Sequence, residues 1–135
     1  MMSEFKRCPC GGERYATCCE VFHTGERQAS TALELMRSRY SAFAVRNSNY
    51  LFRTWHPRTR EDVQLGSERW VKLEILDVVA GGIEDSTGIV EFIAYYDGIE
   101  GSDSMHERSF FSKRAGRWFY EKALDVNPNP AANLQ

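Results

Sequence analysis

All four cysteines of this chain fall between Cys8 and Cys19, as Cys8-Pro9-Cys10 and, after seven intervening residues, the adjacent pair Cys18-Cys19. A disulfide framework spreads its thiols through a fold in order to staple it, whereas here residues 20–135 contain none. Four thiolates in one tight loop suit a tetrahedral Zn²⁺ held about 2.3 Å from each sulfur. A site with four protein ligands has no open position, so the metal expected on Cys8, Cys10, Cys18 and Cys19 is a structural Zn²⁺. His23 is an alternative to Cys19 as fourth ligand, and a redox cluster, an iron–sulfur site or disulfides compete for the same thiols. Pro9 stiffens the first pair, Gly11-Gly12 allow a reversal at positive φ, and Lys6, Arg7 and Arg14 offset negative charge and favour thiolate. A segment this short cannot bury a core of its own, and zinc would supply roughly 10–16 kcal/mol of apparent binding energy.

The elements that must carry this site read simply. Thr24-Gly25-Glu26 is a hinge, and Thr31 stands three residues before Glu34 at capping-box spacing, opening a helix predicted to run to about Arg46. Leu35, Met36, Arg39, Tyr40 and Phe43 share a helical face that is mostly core, with one arginine intruding. Asn47-Ser48-Asn49 breaks the helix, Tyr50 to Trp55 forms a shorter one ended by His56-Pro57, and Arg58 to Asp62 reads as a helical turn capped by Thr59. From Trp70 the chain changes character. Trp70–Val79, Thr87–Tyr96, Met105–Lys113 and Arg117–Lys122 are rich in β-branched and aromatic residues, separated by Gly81-Gly82, Gly98…Gly101 and Ala115-Gly116. Helices followed by consecutive strands indicate an α+β fold with an antiparallel sheet covered on one face.

With 135 residues the chain supports one compact core and a small appended module. A net charge of −2 gives no bulk attraction to nucleic acid or anionic membrane, and no apolar run approaches the roughly 20 residues a membrane span needs. Met1-Met2-Ser3-Glu4-Phe5-Lys6-Arg7 has no hydrophobic signal-peptide region, which with clustered thiols points to a reducing cytoplasm.

The segment Cys8-Pro9-Cys10-Gly11…Tyr15-Ala16-Thr17-Cys18-Cys19 resembles the SEC-C motif, named for the C-terminus of the bacterial SecA translocation ATPase. Leu35-Met36-Arg37-Ser38-Arg39-Tyr40-Ser41-Ala42-Phe43, then Tyr50-Leu51…Thr54-Trp55-His56-Pro57, resembles the YchJ-like family, an uncharacterised bacterial family joining this motif to a nuclear-transport-factor-2-like domain. Glu91-Phe92-Ile93-Ala94-Tyr95, Glu107-Arg108-Ser109 and Gly116-Arg117-Trp118-Phe119-Tyr120 continue the likeness over nearly the whole chain. The family usually spaces its cysteine pairs one residue wider, around a Gly-Ser-Gly-Lys-like turn, where this chain has Gly11-Gly12-Glu13-Arg14. Many relatives carry a second copy of the motif at the C-terminus, and Asn127 to Gln135 is not one. The resemblance implies a cystatin-like cone, with N-terminal helices packed on a curved, mainly antiparallel four-stranded sheet. The expected organisation is a zinc knuckle over 1–25, the larger domain over 28–126 and a flexible tail over 127–135.

A cone implies a cavity between sheet and helices, for which the chemistry-bearing candidates are Arg37, Arg39, Tyr40, Tyr50, His56, Glu91, Tyr95, His106 and Glu107. Strand alternation puts Glu91, Ile93 and Tyr95 on one face and Val90, Phe92, Ala94 and Tyr96 on the other. The second set is expected against the helices. Glu91 then points away from the cavity, whereas the opposite assignment would bury its carboxylate beside the Tyr95 hydroxyl as an acid–base or ligand-orienting pair. His106 and Glu107 are adjacent on one strand and face opposite ways. Arg39, drawn inward, is expected to pair with Glu91 or Glu107, fixing helix to sheet, with anion recognition as the functional alternative. Trp55, Trp70 and Trp118 are expected in the core, not on a stacking platform.

Three function classes follow. The favoured one is a cytoplasmic zinc-binding adaptor that docks a protein partner through the knuckle, using an exposed edge of Lys6, Arg7, Arg14 and Tyr15. The SecA likeness implies the secretory chaperone or a ribosomal surface as that partner. The second is a small cavity enzyme, a hydrolase, isomerase or dehydratase, although no nucleophile–base spacing or cofactor fingerprint supports a particular reaction. The third is weak RNA contact through the knuckle, which the acidic whole disfavours. A homodimer formed by back-to-back sheets is compatible with the composition.

Overall fold

A computed structural model describes residues 6–126. The tail expected over 127–135 and the first five residues lie outside the described residues. A single turn of 3-10 helix (Tyr15–Thr17) is followed by α1 (Glu20–His23), α2 (Ala32–Ala44) and α3 (Ser48–Arg53), and then by β1 (Arg69–Ala80), β2 (Thr87–Gly98), β3 (Gly101–Arg114) and β4 (Arg117–Leu124). The strands form one antiparallel meander in the order β1-β2-β3-β4. Among the described residues, no helix is long and apolar enough to cross a membrane.

Local chemistry explains most boundaries. The Thr31 hydroxyl accepts from the Glu34 amide at 3.1 Å and starts α2. The reciprocal bond is displaced by one residue, because Glu34 Oε1 accepts from the Ser30 amide at 2.7 Å. The first α2 amide, that of Ala32, donates to the Gly81 carbonyl at 2.9 Å, tying the helix to the β1–β2 turn. Asn47 caps α3 by accepting from the Tyr50 amide at 3.0 Å, so this helix begins two residues before the expected start. Ala115 and Gly116, at φ 51° and 79°, form the β3–β4 turn, whose left-handed geometry matches the twist of the flanking strands.

The segment Arg58 to Asp62 is not helical. Thr59 caps nothing; its hydroxyl donates instead to the Glu121 carbonyl at 2.7 Å. The preceding residues run beside β4, with the His56 amide on the Tyr120 carbonyl (2.7 Å) and the Tyr120 amide on the Thr54 carbonyl (2.9 Å). A single turn does form one residue early, at residues 57–59, where the Thr59 and Arg60 amides donate to the His56 carbonyl at 3.0 and 2.9 Å, and it is not continued into a helix.

The sheet curves because its ladders slip. Register shifts fall between Trp70 and Lys72 and between Ile75 and Asp77 in β1, and between Phe110 and Phe111 in β3 where it meets β4. The concave face receives α2. Val90, Phe92, Ala94 and Phe111 are buried against Leu35, Met36 and Tyr40, as the alternation of β2 requires. Each fully buried aliphatic or aromatic side chain here contributes roughly 1.5–3 kcal/mol. Trp118 closes one end, its indole donating to the Ser30 carbonyl at 3.0 Å. Trp55 and Trp70 are only partly buried, because they stand beside a space and not inside packed core.

Candidate metal centre and interior cavity

Helix α2 divides two sites. Residues about 200° apart on a helix face opposite ways, and Arg37 and Arg39 are so related. Arg37, Ser38 and Ser41 touch the cysteine segment, whereas Met36, Arg39, Tyr40 and Phe43 line a cavity against the sheet.

On the first side the four cysteines are unpaired, and their sulfurs all lie within 4.8 Å of one another. A tetrahedron of zinc–sulfur bonds of about 2.3 Å has edges of about 3.8 Å. The Cys10–Cys18 separation of 3.6 Å is close to such an edge and far from an S–S bond. The donor set fits a cation electrostatically as well. Hydrogen bonds from Cys10 and then Cys19 drive the Cys8 thiol far down, while contacts with Cys10 and Cys8, together with burial, drive Cys19 far up. Burial first, then Cys10, pushes Cys18 up to about 12. Four thiolates this close repel one another, so holding all four deprotonated requires positive charge among them.

Backbone geometry supports the same assembly. Gly11, at φ 104°, makes the reversal in which its amide bonds the Cys8 carbonyl at 3.0 Å. Gly12 is needed for space, because a Cβ there would lie 2.7 Å from Cys18 Sγ. Cys8, Cys10 and Cys19 are also buried, beside α2. Cys8 Sγ lies 3.5 Å from Ser41 Oγ, Cys19 Sγ lies 3.6 Å from the Arg37 carbonyl, and Arg37 donates to the Cys10 carbonyl at 3.0 Å.

His23 is not a fourth ligand. Its Nε2 donates to the Ser38 carbonyl at 2.8 Å, and its Nδ1 accepts from the Tyr15 hydroxyl at 2.6 Å, so both ring nitrogens are engaged. Burial lowers the His23 pKa and keeps the imidazole neutral, as this arrangement requires. Tyr15 is correspondingly half-buried and not an open aromatic edge, and burial raises its pKa to about 12. Lys6, Arg7 and Arg14 are exposed. Tyr50 belongs to this side too, its hydroxyl 2.7 Å from Ser38 Oγ and its ring 4.7 Å from that of His23.

On the second side lies a cavity of about 260 Å³, walled by Trp55, Trp70, Phe92 and Phe111 among others. Of the residues expected there, it holds Arg39, Tyr40 and Glu107. Glu91, Tyr95 and His106 are on the opposite sheet face, for the period-2 reason that buries Val90. There Glu91 joins His106 at 2.6 Å and Arg108 at 2.6 Å, and Tyr95 donates to Glu74 at 2.7 Å. His56 is held near β4, its Nδ1 accepting from the Arg58 amide at 3.0 Å.

Arg39 is 7% exposed and makes no ion pair among the described residues. Neither Glu91 nor Glu107 is its partner. Its Nη1 donates to the Leu51 carbonyl at 2.8 Å and the Thr54 hydroxyl at 2.7 Å, both at the C-terminal end of α3, where carbonyls lack helical partners. The guanidinium stacks 4.8 Å from the Tyr120 ring centroid. Burial lowers its pKa to about 10, so it remains charged at neutral pH. Glu107 Oε2 accepts from Ser109 Oγ at 2.6 Å and from the Tyr120 hydroxyl at 3.0 Å. The Tyr40 hydroxyl is buried without a well-formed hydrogen bond, against the β1 backbone at Lys72, and burial raises its pKa to about 12.

Known proteins match this architecture. Residues 31–123 match the family described as the YchJ middle NTF2-like domain. A UPF0225 protein of Corynebacterium glutamicum is 50% identical over 119 residues, covering 85% of this chain and 94% of that protein. The solution structure of a SEC-C motif containing protein from Rhodopseudomonas palustris superposes with a TM-score of 0.78 at 33% identity, covering 90% of this chain and 100% of that one. The crystal structure of a SEC-C motif containing protein from Psychrobacter arcticus gives 0.76 at 25% identity, covering 94% and 88%. With its clustered cysteines, four-stranded antiparallel sheet and NTF2-like core, the chain belongs to the YchJ-like UPF0225 family of bacterial proteins.

Proposed function

We propose that the chain is a zinc-binding adaptor whose Cys8, Cys10, Cys18 and Cys19 hold a structural Zn²⁺. In this reading the metal fixes the knuckle over 1–25 against the larger domain over 28–126, in a reducing cytoplasm, and presents a basic edge to a protein partner. One observation carries the reading: four unpaired sulfurs within 4.8 Å of one another, with Gly12 leaving space beside Cys18. All four protein positions of a tetrahedral site are filled, so the zinc organises structure and activates no water. The exposed cations Lys6, Arg7 and Arg14 on the same short segment supply the recognition charge, and they favour an acidic protein surface.

Elemental analysis of protein purified under reducing conditions, with thiol titration alongside, tests the metal. About one zinc per chain and four protected thiols are expected. Metal-free protein with four reactive thiols would sink the reading. For the partner, Arg7→Glu with Arg14→Glu should abolish capture of a protein that the wild type retains, at unchanged zinc content. Equal recovery by both would remove the adaptor role and leave the metal intact.

A further inference from the structure

We propose that the free edge of β1 is a self-association surface, on which a second copy of this chain pairs its own β1 antiparallel and continues the sheet across a two-fold axis at Leu73. The two edges of the sheet are treated differently. β4 is covered: residues 54–56 run along it, with the His56 amide on the Tyr120 carbonyl and the Tyr120 amide on the Thr54 carbonyl, and Thr59 bonds Glu121. β1 ends the sheet on the other side. Among the described residues, no strand or bridge pairs its outer edge over the twelve residues Arg69–Ala80. An uncovered edge offers a row of backbone donors and acceptors to another strand. Apolar side chains accompany that row, with Val71 48% exposed and Leu76 43% exposed.

The pattern of β1 selects the occupant. Antiparallel pairing about Leu73 sets Lys72 of one copy opposite Glu74 of the other, and Arg69 opposite Asp77. Every remaining position in between is apolar against apolar: Val71 meets Ile75, Trp70 meets Leu76, and Leu73 meets its own equivalent. β1 carries one register slip on each side of Leu73, between Trp70 and Lys72 and between Ile75 and Asp77. The four charged residues therefore all stand on the convex face, against Asp97, Tyr95, Ile93 and Glu91 of β2. Sliding the second strand by two residues would bring Lys72 onto Lys72 or Glu74 onto Glu74, and parallel pairing in register would set each charge on its like. Charges that only guard an edge repel a second copy at every register. Here the sign reverses about Leu73 and leaves one register open. Arg69 already bonds Asp97 at 2.9 Å and Asp77 bonds Arg108 at 3.1 Å, yet Arg69 and Asp77 both remain exposed. Pairing would join them into one row of alternating sign, from Asp97 and Arg69 of one copy to Asp77, Arg108 and Glu91 of the other. This joins sheets by their edges and not back to back.

Sedimentation equilibrium of the zinc-loaded full chain reads the association. The wild type should dimerise with a dissociation constant on the order of 10–100 µM, as suits an interface of one strand pair. Lys72→Glu and Glu74→Lys, both at exposed positions, should each weaken it about ten-fold or more at unchanged zinc content, because like charges then meet twice across the axis. An equimolar mixture of the two variants should recover the wild-type constant within about two-fold, since each copy then offers the other the opposite sign. In wild type mixed from two isotopic labellings, filtered NOEs should join Val71 of one copy to Ile75 of the other. A chain that stays monomeric to about 1 mM would overturn the proposal. So would a dimer indifferent to either substitution, a mixture no tighter than its components, or NOEs joining Ile93 or Tyr95 of two copies, which mark sheets stacked face to face.

Discussion

The two faces of α2 show opposite ways of burying polar atoms. Toward the knuckle everything polar is paired: Ser38 with Tyr50, His23 with Tyr15 and Ser38, Arg37 with the Cys10 carbonyl. Toward the sheet, the buried Tyr40 hydroxyl lacks a well-formed hydrogen bond, while Arg39 bonds Leu51 and Thr54 and Glu107 bonds Ser109 and Tyr120 beside a cavity. A saturated network rigidifies, whereas an unsaturated one around a cavity stores unmet demand. The difference is between a saturated network and a wall around open space, and four perturbations probe it.

Metal removal should have the largest effect. Because Cys8 and Cys19 lie in the same buried cluster as Leu35, Met36 and Val90, a chelator should lower the melting temperature of the whole chain by on the order of 10–20 °C. Calorimetry separates this from the alternative, in which residues before α2 unravel and the sheet melts where it did. That alternative would make the knuckle an independent module and break the link to α2. Smaller, but confined to the same face, is Gly12→Ala. The added carbon meets Cys18 Sγ at 2.7 Å and should weaken zinc roughly ten-fold in a chelator competition, with the cavity unaffected. Undiminished affinity would mean that Cys18 is not a ligand.

Arg39→Met crosses to the other face. It removes two charge-assisted hydrogen bonds and leaves the Leu51 carbonyl without its donor, which should cost about 2 kcal/mol in urea denaturation. Zinc content should not change. A neutral result would show that Arg39 is retained for the cavity and not for α3.

What was legible in the sequence follows from the range of the interactions. Thr31 capping, the Asn47 break and the alternation of Val90, Phe92 and Ala94 depend on near neighbours, and each is present. The cysteine cluster was equally plain because all its members lie within one short segment. Arg39 was correctly drawn inward but given the wrong partner: helix periodicity sets direction, while its acceptors come from α3, a separate element whose placement depends on tertiary packing. The turn expected over Arg58 to Asp62 forms at residues 57–59, and Thr59 turns its hydroxyl to the Glu121 carbonyl of β4, an acceptor with no local signature. His23 was a reasonable metal ligand by type. Only the approach of Tyr15 and Ser38 takes up its two nitrogens. Arg37, first grouped with the cavity, proves to serve the knuckle, and a helical wheel cannot say which face meets which neighbour.

The smallest effect is the sharpest contrast. Tyr40 and Tyr50 are both 3% exposed and both have pKa values raised by burial, yet one hydroxyl is orphaned and the other bonds Ser38 at 2.7 Å. Removing an unpaired buried hydroxyl relieves its desolvation cost, whereas removing a paired one strands its partner. Tyr40→Phe should therefore stabilise the chain by about 1 kcal/mol, and Tyr50→Phe should destabilise it by about 1 kcal/mol, in paired urea denaturations of zinc-loaded protein. Equal losses would mean that the Tyr40 hydroxyl is satisfied by the β1 backbone at Lys72, and the two faces of α2 would then be alike. Opposite signs would mean that the two faces of α2 differ in how completely they pair the hydroxyls they bury.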